Sequence, residues 1–331
     1  MRQYHVAIVG ATGLVGRKML TLLHERQLPI EKLSLFSSAR SAGSSLIFNG
    51  EEIVVQELKE DSFEGIDIAL FSAGGETSRF FAPFAQKAGC VVVDNSSAWR
   101  MDENTPLVVP EVNPEALESH NGIIANPNCS TIQLMLPLKT IDDNFKLTRV
   151  VCSTYQSITG AGQKGLDKLE RELGGDYSDE KPIAFNTLFH SFEDNGFTDE
   201  ENKMVNETRK IMNRPDLKLA FTCVRLPIMG GHAESVNFET EEEFSVSGLK
   251  QLLQVTKNVI VLDNWKEGDY PTPLDANDKD QVFVGRLRKD PSVENGGYMW
   301  VVADNLRKGA ATNAVQIAEK LIEMDLVRVP Q

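Results

Sequence analysis

Nearly continuous apolar runs recur through the first third of the chain, and amphipathic stretches separate them. The runs at residues 6–9, 66–72 and 89–94 contain few polar positions, whereas residues 13–25 and 78–87 have the spacing of helices. Strands that are buried on both faces read as apolar runs, because helices cover both sides of a parallel sheet. The pattern therefore predicts a doubly wound α/β domain in this part of the chain.

The pattern changes after residue 129. Apolar and polar residues alternate partly in residues 148–155, 218–226 and 235–240, as they do in strands with one exposed face. Helical spacing separates these strands, at residues 165–173, 199–212 and 246–254. This mixture predicts an α+β second domain.

The last amphipathic segment, residues 310–324, predicts a helix whose apolar face packs on the first domain. The first domain is then predicted to comprise residues 1–128 with a C-terminal helix at 310–331, and the second to comprise residues 129–309. Residues 174–194 contain Gly, Asp and Pro and are predicted to form a surface loop.

Charge and hydropathy exclude several classes of partner. Lys and Arg number 34 against 48 Asp and Glu, a net charge of −14, which argues against nucleic acid or an anionic membrane. An anionic substrate would therefore need a local basic cluster. No apolar run approaches the ~18 residues of a membrane span, and the first strand begins too early to leave room for a signal peptide. We expect a cytoplasmic protein.

The chain has four cysteines and no disulfide framework is predicted. Cys90, Cys152 and Cys223 lie in β-like apolar runs and are expected to be buried and reduced. No Cys-x-x-Cys or His-x-x-x-His spacing is present, so no metal site is predicted.

A glycine-rich loop joins the first strand to the first helix. Glycines in such a loop permit a tight turn, let the backbone approach a pyrophosphate, and let the helix pack closely on the strand. Since the loop follows an apolar strand and opens a helix, it predicts a dinucleotide site rather than a turn without a ligand. The loop is Gly10-Ala11-Thr12-Gly13-Leu14-Val15-Gly16.

The end of the second strand, near residue 37, indicates which dinucleotide binds. NAD-binding domains usually carry Asp or Glu there to bind the ribose 2′-hydroxyl. This chain has hydroxyls and one arginine instead, and Ser38 and Arg40 suit a 2′-phosphate. NADP is therefore favoured, the alternative being that Arg40 is a solvated loop residue.

Cys129 is placed differently from the other thiols. It follows Asn126, Pro127 and Asn128, which are residue types typical of a turn and a helix N-cap, and a buried apolar helix is predicted after it. Backbone N–H groups and the macrodipole at a helix start stabilise a thiolate and could hold an oxyanion. This context favours a reactive thiol over a buried structural cysteine.

Several motifs together closely resemble aspartate-semialdehyde dehydrogenase over essentially the full length. Beside the glycine-rich loop they include Ser-Ala-Arg-Ser-Ala-Gly (38–43), Val-Val-Pro-Glu-Val-Asn (108–113), Asn-Pro-Asn-Cys-Ser-Thr (126–131), Ser-Thr-Tyr-Gln-Ser-Ile-Thr-Gly-Ala-Gly (153–162), Cys-Val-Arg-Leu-Pro (223–227) and Phe-Val-Gly-Arg-Leu-Arg-Lys-Asp (283–290). The resemblance implies an NADP-binding Rossmann-type first domain and a catalytic and dimerisation second domain. It also implies homodimers or, alternatively, homotetramers.

The reaction implied by the resemblance is reversible. L-Aspartate 4-semialdehyde, phosphate and NADP⁺ give L-4-aspartyl phosphate and NADPH, in the biosynthesis of lysine, threonine and methionine. Cys129 is implied to be the nucleophile: its thiolate adds to the aldehyde, hydride leaves to NADP⁺, and phosphate attacks the resulting thioester.

Two further catalytic residues follow from the resemblance. His232 lies in Gly-Gly-His-Ala, which reads as a flexible loop, and resembles the family's general acid/base; an imidazole that titrates near neutrality suits this role. Gln156 resembles the glutamine that orients the substrate. The other histidines are expected to be exposed loop residues: His5, His24, His120 and His190.

Charged groups of the substrates account for the remaining matches. Arg225 resembles the residue that binds the α-carboxylate, and a planar guanidinium suits bidentate binding. Arg100 and Lys203 resemble the phosphate-binding pair. Glu200 is implied to lie near the substrate amino group, beside the substrate-binding residue Asn128.

The helix predicted at residues 199–212 carries two of these charged residues. Thr198 and Glu201 have the spacing of a capping box, which leaves Glu200 and Lys203 on one helix face. A surface ion pair is the alternative reading of that face.

Four more residues are implied to contact the cofactor. Thr159 and Gly160 would flank it near Gln156, Ser72 follows a strand of the first domain, and Asn305 lies in a stretch that resembles the segment near the nicotinamide. Simple turn capping is the alternative for Asn305.

Three other assignments remain as alternatives. N-acetylglutamyl-phosphate reductase shares the architecture and the thioester chemistry, but its cysteine typically follows Pro-Gly, which this chain lacks. Glyceraldehyde-3-phosphate dehydrogenase usually has a Ser-Cys-Thr-Thr-Asn motif and an acidic NAD-binding residue. A non-catalytic, cofactor-binding paralogue is disfavoured because Cys129, Gln156, Arg225 and His232 are all present.

Overall fold

A computed structural model describes residues 2–328 of the chain. These residues divide into two units, one that ends at Pro127 and resumes at Ala310, and one that comprises Asn128–Gly309. Residues 1 and 329–331, which include the two predicted outer boundaries of the first domain, lie outside the described residues.

Before Pro127, the described residues of the first unit form eight strands, two α-helices and a 3₁₀ helix (Pro114–Ser119). The strands are β1 (Tyr4–Val9), β2 (Ile30–Ser37), β3 (Ser45–Phe48), β4 (Glu51–Val54), β5 (Gln56–Glu57), β6 (Ile68–Phe71), β7 (Val91–Asp94) and β8 (Ile123–Ala125), and the helices are α1 (Leu14–Glu25) and α2 (Gly75–Lys87). Six of the strands form one parallel sheet in the order β5-β2-β1-β6-β7-β8, and β3 pairs with β4 as a separate hairpin.

Both faces of this parallel sheet are buried, as the apolar runs predict. Alternate residues of β1 contribute to different cores: Val6 and Ile8 to one, Ala7 and Val9 to the other. The predicted doubly wound domain is thereby confirmed.

The second unit carries the mixed sheet. Its elements are α3 (Cys129–Phe145), β9 (Leu147–Ser157), α4 (Gln163–Leu173), β10 (Leu188–Phe189), α5 (Asp199–Met212), β11 (Lys218–Leu226), β12 (His232–Thr240), α6 (Val246–Val255), β13 (Val259–Val261), α7 (Pro273–Ala276), β14 (Val282–Lys289) and β15 (Gly296–Ala303). Its seven strands are ordered β10-β11-β9-β12-β15-β14-β13. The β11–β9 and β13–β14 pairs are parallel and the others antiparallel, which confirms the predicted α+β character.

The last helix, α8 (Asn313–Glu323), packs in the core of the first unit, where Val315, Ile317 and Leu321 are fully buried. The predicted return of the chain to the first domain is therefore correct. The predicted helix start at residue 310 is not, because Arg307–Thr312 form a π-helical turn first. Such turns are frequent at functional sites.

Periodicity does not predict β14. Its first four residues, 282–285, are all buried, so buried and exposed positions alternate only afterwards. The register slips between Gly285 and Arg288, where Arg286 has a positive φ of 56°. No helix among residues 2–328 is long and apolar enough to cross a membrane.

Candidate active site

Cys129 is the first residue of α3, as the sequence predicts. Asn128 is the N-cap, and its side-chain oxygen accepts hydrogen bonds from the N–H groups of Ser130 and Thr131 at 3.0 and 3.4 Å. Residues 130–138 of this helix are all buried, whereas Cys129 itself is only partly buried. A buried helix thus holds an accessible thiol at its positive end. Cys90, Cys152 and Cys223 are buried, as predicted.

His232 lies directly against this thiol. Its Nε2 is 3.1 Å from Cys129 Sγ, and its Nδ1 accepts the backbone N–H of Ser157 at 2.9 Å. Because Nδ1 is an acceptor, the proton of the neutral imidazole is on Nε2 and faces sulfur. Burial, reinforced by the charge of Arg225, lowers the pKa of His232 to about 3.

The prediction that His232 lies in a flexible loop is wrong. It is the first residue of β12, it is fully buried, and it pairs with Ala303 on β15. The preceding Gly231 has a φ of 150°, and a Cβ there would lie 2.5 Å from the Ala303 carbonyl oxygen. Close packing at this glycine therefore fixes the histidine.

Gln156 lies near the end of β9 in a buried polar cluster. Its Nε2 donates to Ser130 Oγ at 2.9 Å and to Glu200 Oε1 at 3.1 Å. Asn128 Nδ2 also donates to Glu200 Oε1, at 2.8 Å. The Oε1 of Gln156 has no hydrogen-bond partner among the described residues. The cluster thus joins α3, β9 and α5 beside the thiol.

Glu200 is an ionised carboxylate in this cluster. Burial alone would raise its pKa, but the positive charge of Lys203, the proximity of His190 and hydrogen bonds from Asn128 and Gln156 together lower it to about 2. Lys203 Nζ lies 3.4 Å from Glu200 and 2.7 Å from Asp199. The i,i+3 pairing is as predicted, but Glu200 is 5% exposed and is not a surface residue.

The capping box explains why Glu200 and not its neighbour faces the cluster. Thr198 caps α5 and Glu201 accepts its N–H, as predicted, and Glu201 also accepts the Cys223 N–H. On the same helix, Glu207 Oε2 accepts the Asn128 N–H at 2.6 Å. Glu207 is missing from the prediction, although its position two turns after Glu200 could have indicated it.

Arg225 lies at the end of β11 and donates from Nη1 to the Ser157 carbonyl at 2.8 Å. Its Nη2 lies 2.7 Å from His190 Nε2. A Cβ at Gly160 would lie 2.8 Å from Nη1 and 3.4 Å from His232, so only glycine fits there without displacement. His190 is half-buried, so its prediction as an exposed loop histidine is wrong; His120 is buried as well.

Two of the predicted cofactor residues meet in the second unit. Thr159 Oγ1 donates to Asn305 Oδ1 at 2.9 Å, and both residues are buried. A Cβ at Gly309 would lie 2.9 Å from Cys129 Cβ, which brings the segment after Asn305 against the thiol. Thr159 and Asn305, which are predicted to lie near the nicotinamide, are thus in the same unit as the Cys129 thiol.

Behind His232 the sheet buries an acid that the prediction omits. Glu234 is fully buried and neither of its carboxyl oxygens has a partner among the described residues. Burial raises its pKa well above the usual range. Gln133 donates to the His232 carbonyl at 3.4 Å, and its Oε1 is also unpartnered.

The glycine-rich loop of the first unit has the close backbone packing that such loops need. Gly10 has a φ of 83° and a Cβ there would lie 2.4 Å from the Ser72 carbonyl oxygen. A Cβ at Gly16 would lie 2.2 Å from the Gly10 carbonyl oxygen. Gly13 is the N-cap of α1, and Leu14 and Val15 begin that helix. The loop therefore forms an open strand-to-helix turn that only glycines permit.

Residues 37–40, at and just after the end of β2, carry hydroxyls and one arginine and include no carboxylate. Thr12 Oγ1 and Ser37 Oγ are 3.0 Å apart, and Ser38 and Arg40 are exposed beyond them. Glu57, which pairs with Ser37 from the neighbouring strand β5, lies 3.6 Å from Lys59, and none of residues 37–40 is acidic. A 2′-phosphate therefore fits this segment better than a bare ribose hydroxyl does.

The predicted phosphate-binding residues lie in different units. Arg100, in the first unit, is buried and donates to the carbonyls of Asn95 and Asn126, each at 3.0 Å. Lys203 is on α5 of the second unit. No group of three or more His, Cys, Asp or Glu within residues 2–328 could hold a metal ion.

Two family models match the chain. Residues 5–120 match the semialdehyde dehydrogenase NAD binding domain, and residues 138–308 match the semialdehyde dehydrogenase dimerisation domain. An aspartate-semialdehyde dehydrogenase of Aquifex aeolicus (strain VF5) is 53% identical over 338 residues, which cover 98% of this chain and 99% of the relative.

Solved structures are similar over the same extent. A crystal structure of aspartate semialdehyde dehydrogenase II from Vibrio cholerae, complexed with ASA, has a TM-score of 0.94 and 47% identity, and covers 98% of this chain and 99% of its own. The Candida albicans enzyme with NADP has a TM-score of 0.79 and 26% identity, and covers 98% of this chain and 100% of its own. None of these relatives bears the name of the reductase that the sequence left as an alternative.

The buried histidine predicts how stability depends on pH. Its pKa is 6.5 when unfolded and about 3 when folded, so below pH 6.5 the unfolded chain binds a proton that the folded chain does not. The free energy of unfolding should therefore fall as the pH falls, by at most roughly 1.4 kcal/mol per pH unit from this group. In His232→Gln, urea titrations between about pH 7 and 5 should show a shallower decline.

His24→Gln, which changes an exposed histidine on α1, is the matched control and should keep the wild-type slope. Equal slopes for wild type and His232→Gln would contradict the assignment of a neutral, buried imidazole.

Proposed function

The chain belongs to the aspartate-semialdehyde dehydrogenase family, and from this premise we propose that it oxidises L-aspartate 4-semialdehyde with phosphate through a thioester on Cys129. The observation that carries the proposal is the contact between Cys129 Sγ and His232 Nε2 at 3.1 Å, at the start of a capped helix. The cofactor is NADP, and in the biosynthetic direction the same steps run in reverse to reduce L-4-aspartyl phosphate.

The Cys129 thiolate and the His232 imidazole have different roles in the proposed reaction. The Cys129 thiolate attacks the aldehyde carbon, and the oxygen that gains negative charge accepts a hydrogen bond from the neutral His232 Nε2–H. NADP⁺, when bound, accepts the hydride from this carbon. As the hydride leaves, the carbonyl re-forms from the alkoxide and a thioester remains on Cys129, while the proton stays on His232 Nε2. Phosphate then attacks the thioester carbon and expels the Cys129 thiolate, so the enzyme returns to its starting state.

Charged groups near the thiol match the amino-acid part of this substrate. The Arg225 guanidinium would bind the α-carboxylate, and the ionised Glu200 would bind the α-ammonium group. Asn128 and Gln156 hold Glu200 from the side of the thiol, and the unpartnered Oε1 of Gln156 is an acceptor for substrate. Opposite charges at two fixed points would orient the aldehyde toward sulfur.

Phosphate and cofactor would be held by the remaining residues of the prediction. Arg100 and Lys203 would bind phosphate, since they supply the two cations assigned to it by family resemblance. The loop Gly10–Gly16 would receive the pyrophosphate, Ser38 and Arg40 the 2′-phosphate, and Thr159, Gly160 and Asn305 the nicotinamide side, with Ser72 beside the loop. The close backbone approaches at Gly10 and Gly16 support the pyrophosphate assignment.

We also propose that the enzyme works in a reducing compartment such as the cytoplasm. Cys129 must stay a thiol to act, and the three other cysteines are buried and unpaired.

Cys129→Ala tests the proposed chemistry directly. Phosphate-dependent formation of NADPH from aspartate semialdehyde should fall by roughly 10³-fold or more, since no other nucleophile can form the thioester. Without phosphate, the wild type should release a burst of NADPH equal to its active sites and gain the mass of an aspartyl group on Cys129.

Cys223→Ala is the matched control, because it removes a buried thiol of the same unit. No turnover by the wild type, or undiminished turnover by Cys129→Ala, would refute the proposal.

Arg40→Ala tests the cofactor assignment. Loss of the 2′-phosphate contact should raise the KM for NADP⁺ about tenfold or more, and should leave the KM for NAD⁺ nearly unchanged. Steady-state kinetics with both cofactors measures this difference. Parallel changes in the two KM values, or a wild-type preference for NAD⁺, would contradict it.

The second unit carries a dimerisation domain, and we propose that the chain is a homodimer in which the open face of its sheet is the contact surface. Buried and half-exposed residues alternate along β9: Cys152 and Thr154 are buried, whereas Val151, Ser153 and Tyr155 are half-exposed. Helices α3 and α5 contact β9 and β11 of this sheet. Tyr155 packs against Trp300 on this face, with ring centroids 5.6 Å apart, whereas the half-exposed Val151 can bury its apolar surface against a second copy.

Val151→Glu should weaken this dimer, because it would bury a charge on the open sheet face. Size-exclusion chromatography with light scattering should show the mass of two chains for the wild type and a shift toward one chain for the variant. Val255→Glu, at an 82% exposed position on α6, should stay dimeric. A monomeric wild type, or an unchanged Val151→Glu dimer, would contradict the proposed surface.

A further inference from the structure

Arg225 is held by two acceptors that carry no charge. The Ser157 carbonyl accepts from Nη1 at 2.8 Å, and His190 Nε2 accepts from Nη2 at 2.7 Å. Within residues 2–328 the guanidinium forms no ion pair with a carboxylate. The protein therefore fixes the direction of the Arg225 side chain and does not neutralise its positive charge.

The contact fixes the protonation of His190. A guanidinium has five N–H donors and no acceptor, so His190 Nε2 must be unprotonated and the neutral ring carries its proton on Nδ1. Doubly protonated imidazole could not accept from Arg225 and would repel it.

A short β-pair brings the two residues together. β10 pairs antiparallel with β11, with Leu188 opposite Arg225 and Phe189 opposite Val224. His190 follows this pair directly, so the register of two residues determines where its ring lies. From Gly174 to Phe197 the surrounding loop forms no other helix or strand, but Phe192 forms an isolated bridge with Thr198, and the Ser191 carbonyl accepts from the Asp199 N–H at 2.9 Å.

We infer that His190 is a positioning residue that aims Arg225 at the α-carboxylate of the amino-acid substrate and so sets the affinity for that substrate. The inference rests on the proposed function. Two of the five guanidinium N–H donors are used by Ser157 and His190, and the three that remain suffice for bidentate binding of a carboxylate. An acidic residue in place of His190 would neutralise Arg225 and compete with the substrate.

The arrangement is sensitive to pH. Burial lowers the pKa of His190, and Arg225 on β11 also lowers it, whereas Asp199 and Glu200 on α5 raise it. The ring of His232 on β12 also interacts electrostatically with His190. Together these effects place the pKa of His190 below 6.5. His190 Nε2 is therefore an acceptor at neutral pH, and it loses this capacity when the ring is protonated at lower pH.

The experiment compares His190→Ala and His190→Gln with the wild type, each assayed for its KM toward semialdehyde, phosphate and NADP⁺. His190→Ala should raise the KM for semialdehyde about tenfold, the effect of losing a hydrogen bond to a charged group. The KM values for phosphate and NADP⁺ and the kcat should change less than about twofold.

His190→Gln supplies an acceptor that does not titrate, so it should recover most of the affinity. The wild-type KM for semialdehyde should rise relative to that of His190→Gln as the pH falls from about 7 to 5. Thr187→Ala, an exposed position in the same loop, should match the wild type throughout.

Two results would overturn the inference while leaving the proposed function intact. One is an active His190→Ala enzyme with an unchanged KM for semialdehyde; the other is an equal rise in all three KM values, which indicates a merely structural role. A wild type without phosphate-dependent oxidation would refute the proposed function itself, so the two failures are distinguishable.

Discussion

The hydrogen bond from the Ser157 N–H to His232 Nδ1 is the constraint on which the site depends. It occupies the nitrogen that faces away from the thiol and so leaves the proton on the nitrogen that faces it. Burial then keeps the ring neutral over the physiological range. One backbone amide at the end of β9 thus determines both the tautomer of the His232 imidazole and the direction of its Nε2–H, without a carboxylate partner.

The carboxylate of Glu200 and the guanidinium of Arg225 do not neutralise each other in the site. Glu200 is partly compensated by Lys203 and is held by the amides of Asn128 and Gln156. Arg225 has only neutral acceptors. A zwitterionic amino acid can therefore find one unneutralised cation and one ionised carboxylate within the same unit. Because each charge is fixed by hydrogen bonds before substrate arrives, little reorganisation is needed on binding.

Glycines make this crowding possible. Side chains at Gly160, Gly231 and Gly309 would collide with Arg225, the Ala303 carbonyl and Cys129, respectively. Each glycine lets a backbone segment approach a reactive group that a Cβ would push away. The first unit has the same kind of close backbone approach at Gly10 and Gly16, in the loop proposed to receive the pyrophosphate.

Local chemistry was enough to predict the parallel sheet, the N-cap before Cys129 and the capping box of α5, because apolar runs and caps depend on neighbours in sequence. The burial of His232, the neighbours of Glu200 and the role inferred for His190 were decided by tertiary structure. His232 and Cys129 are 103 residues apart and His190 and Arg225 are 35 apart, so only strand pairing brings them into contact. No local pattern indicates these contacts: β10 has only two residues, and the partners of β12 are β9 and β15, which lie far from it in sequence.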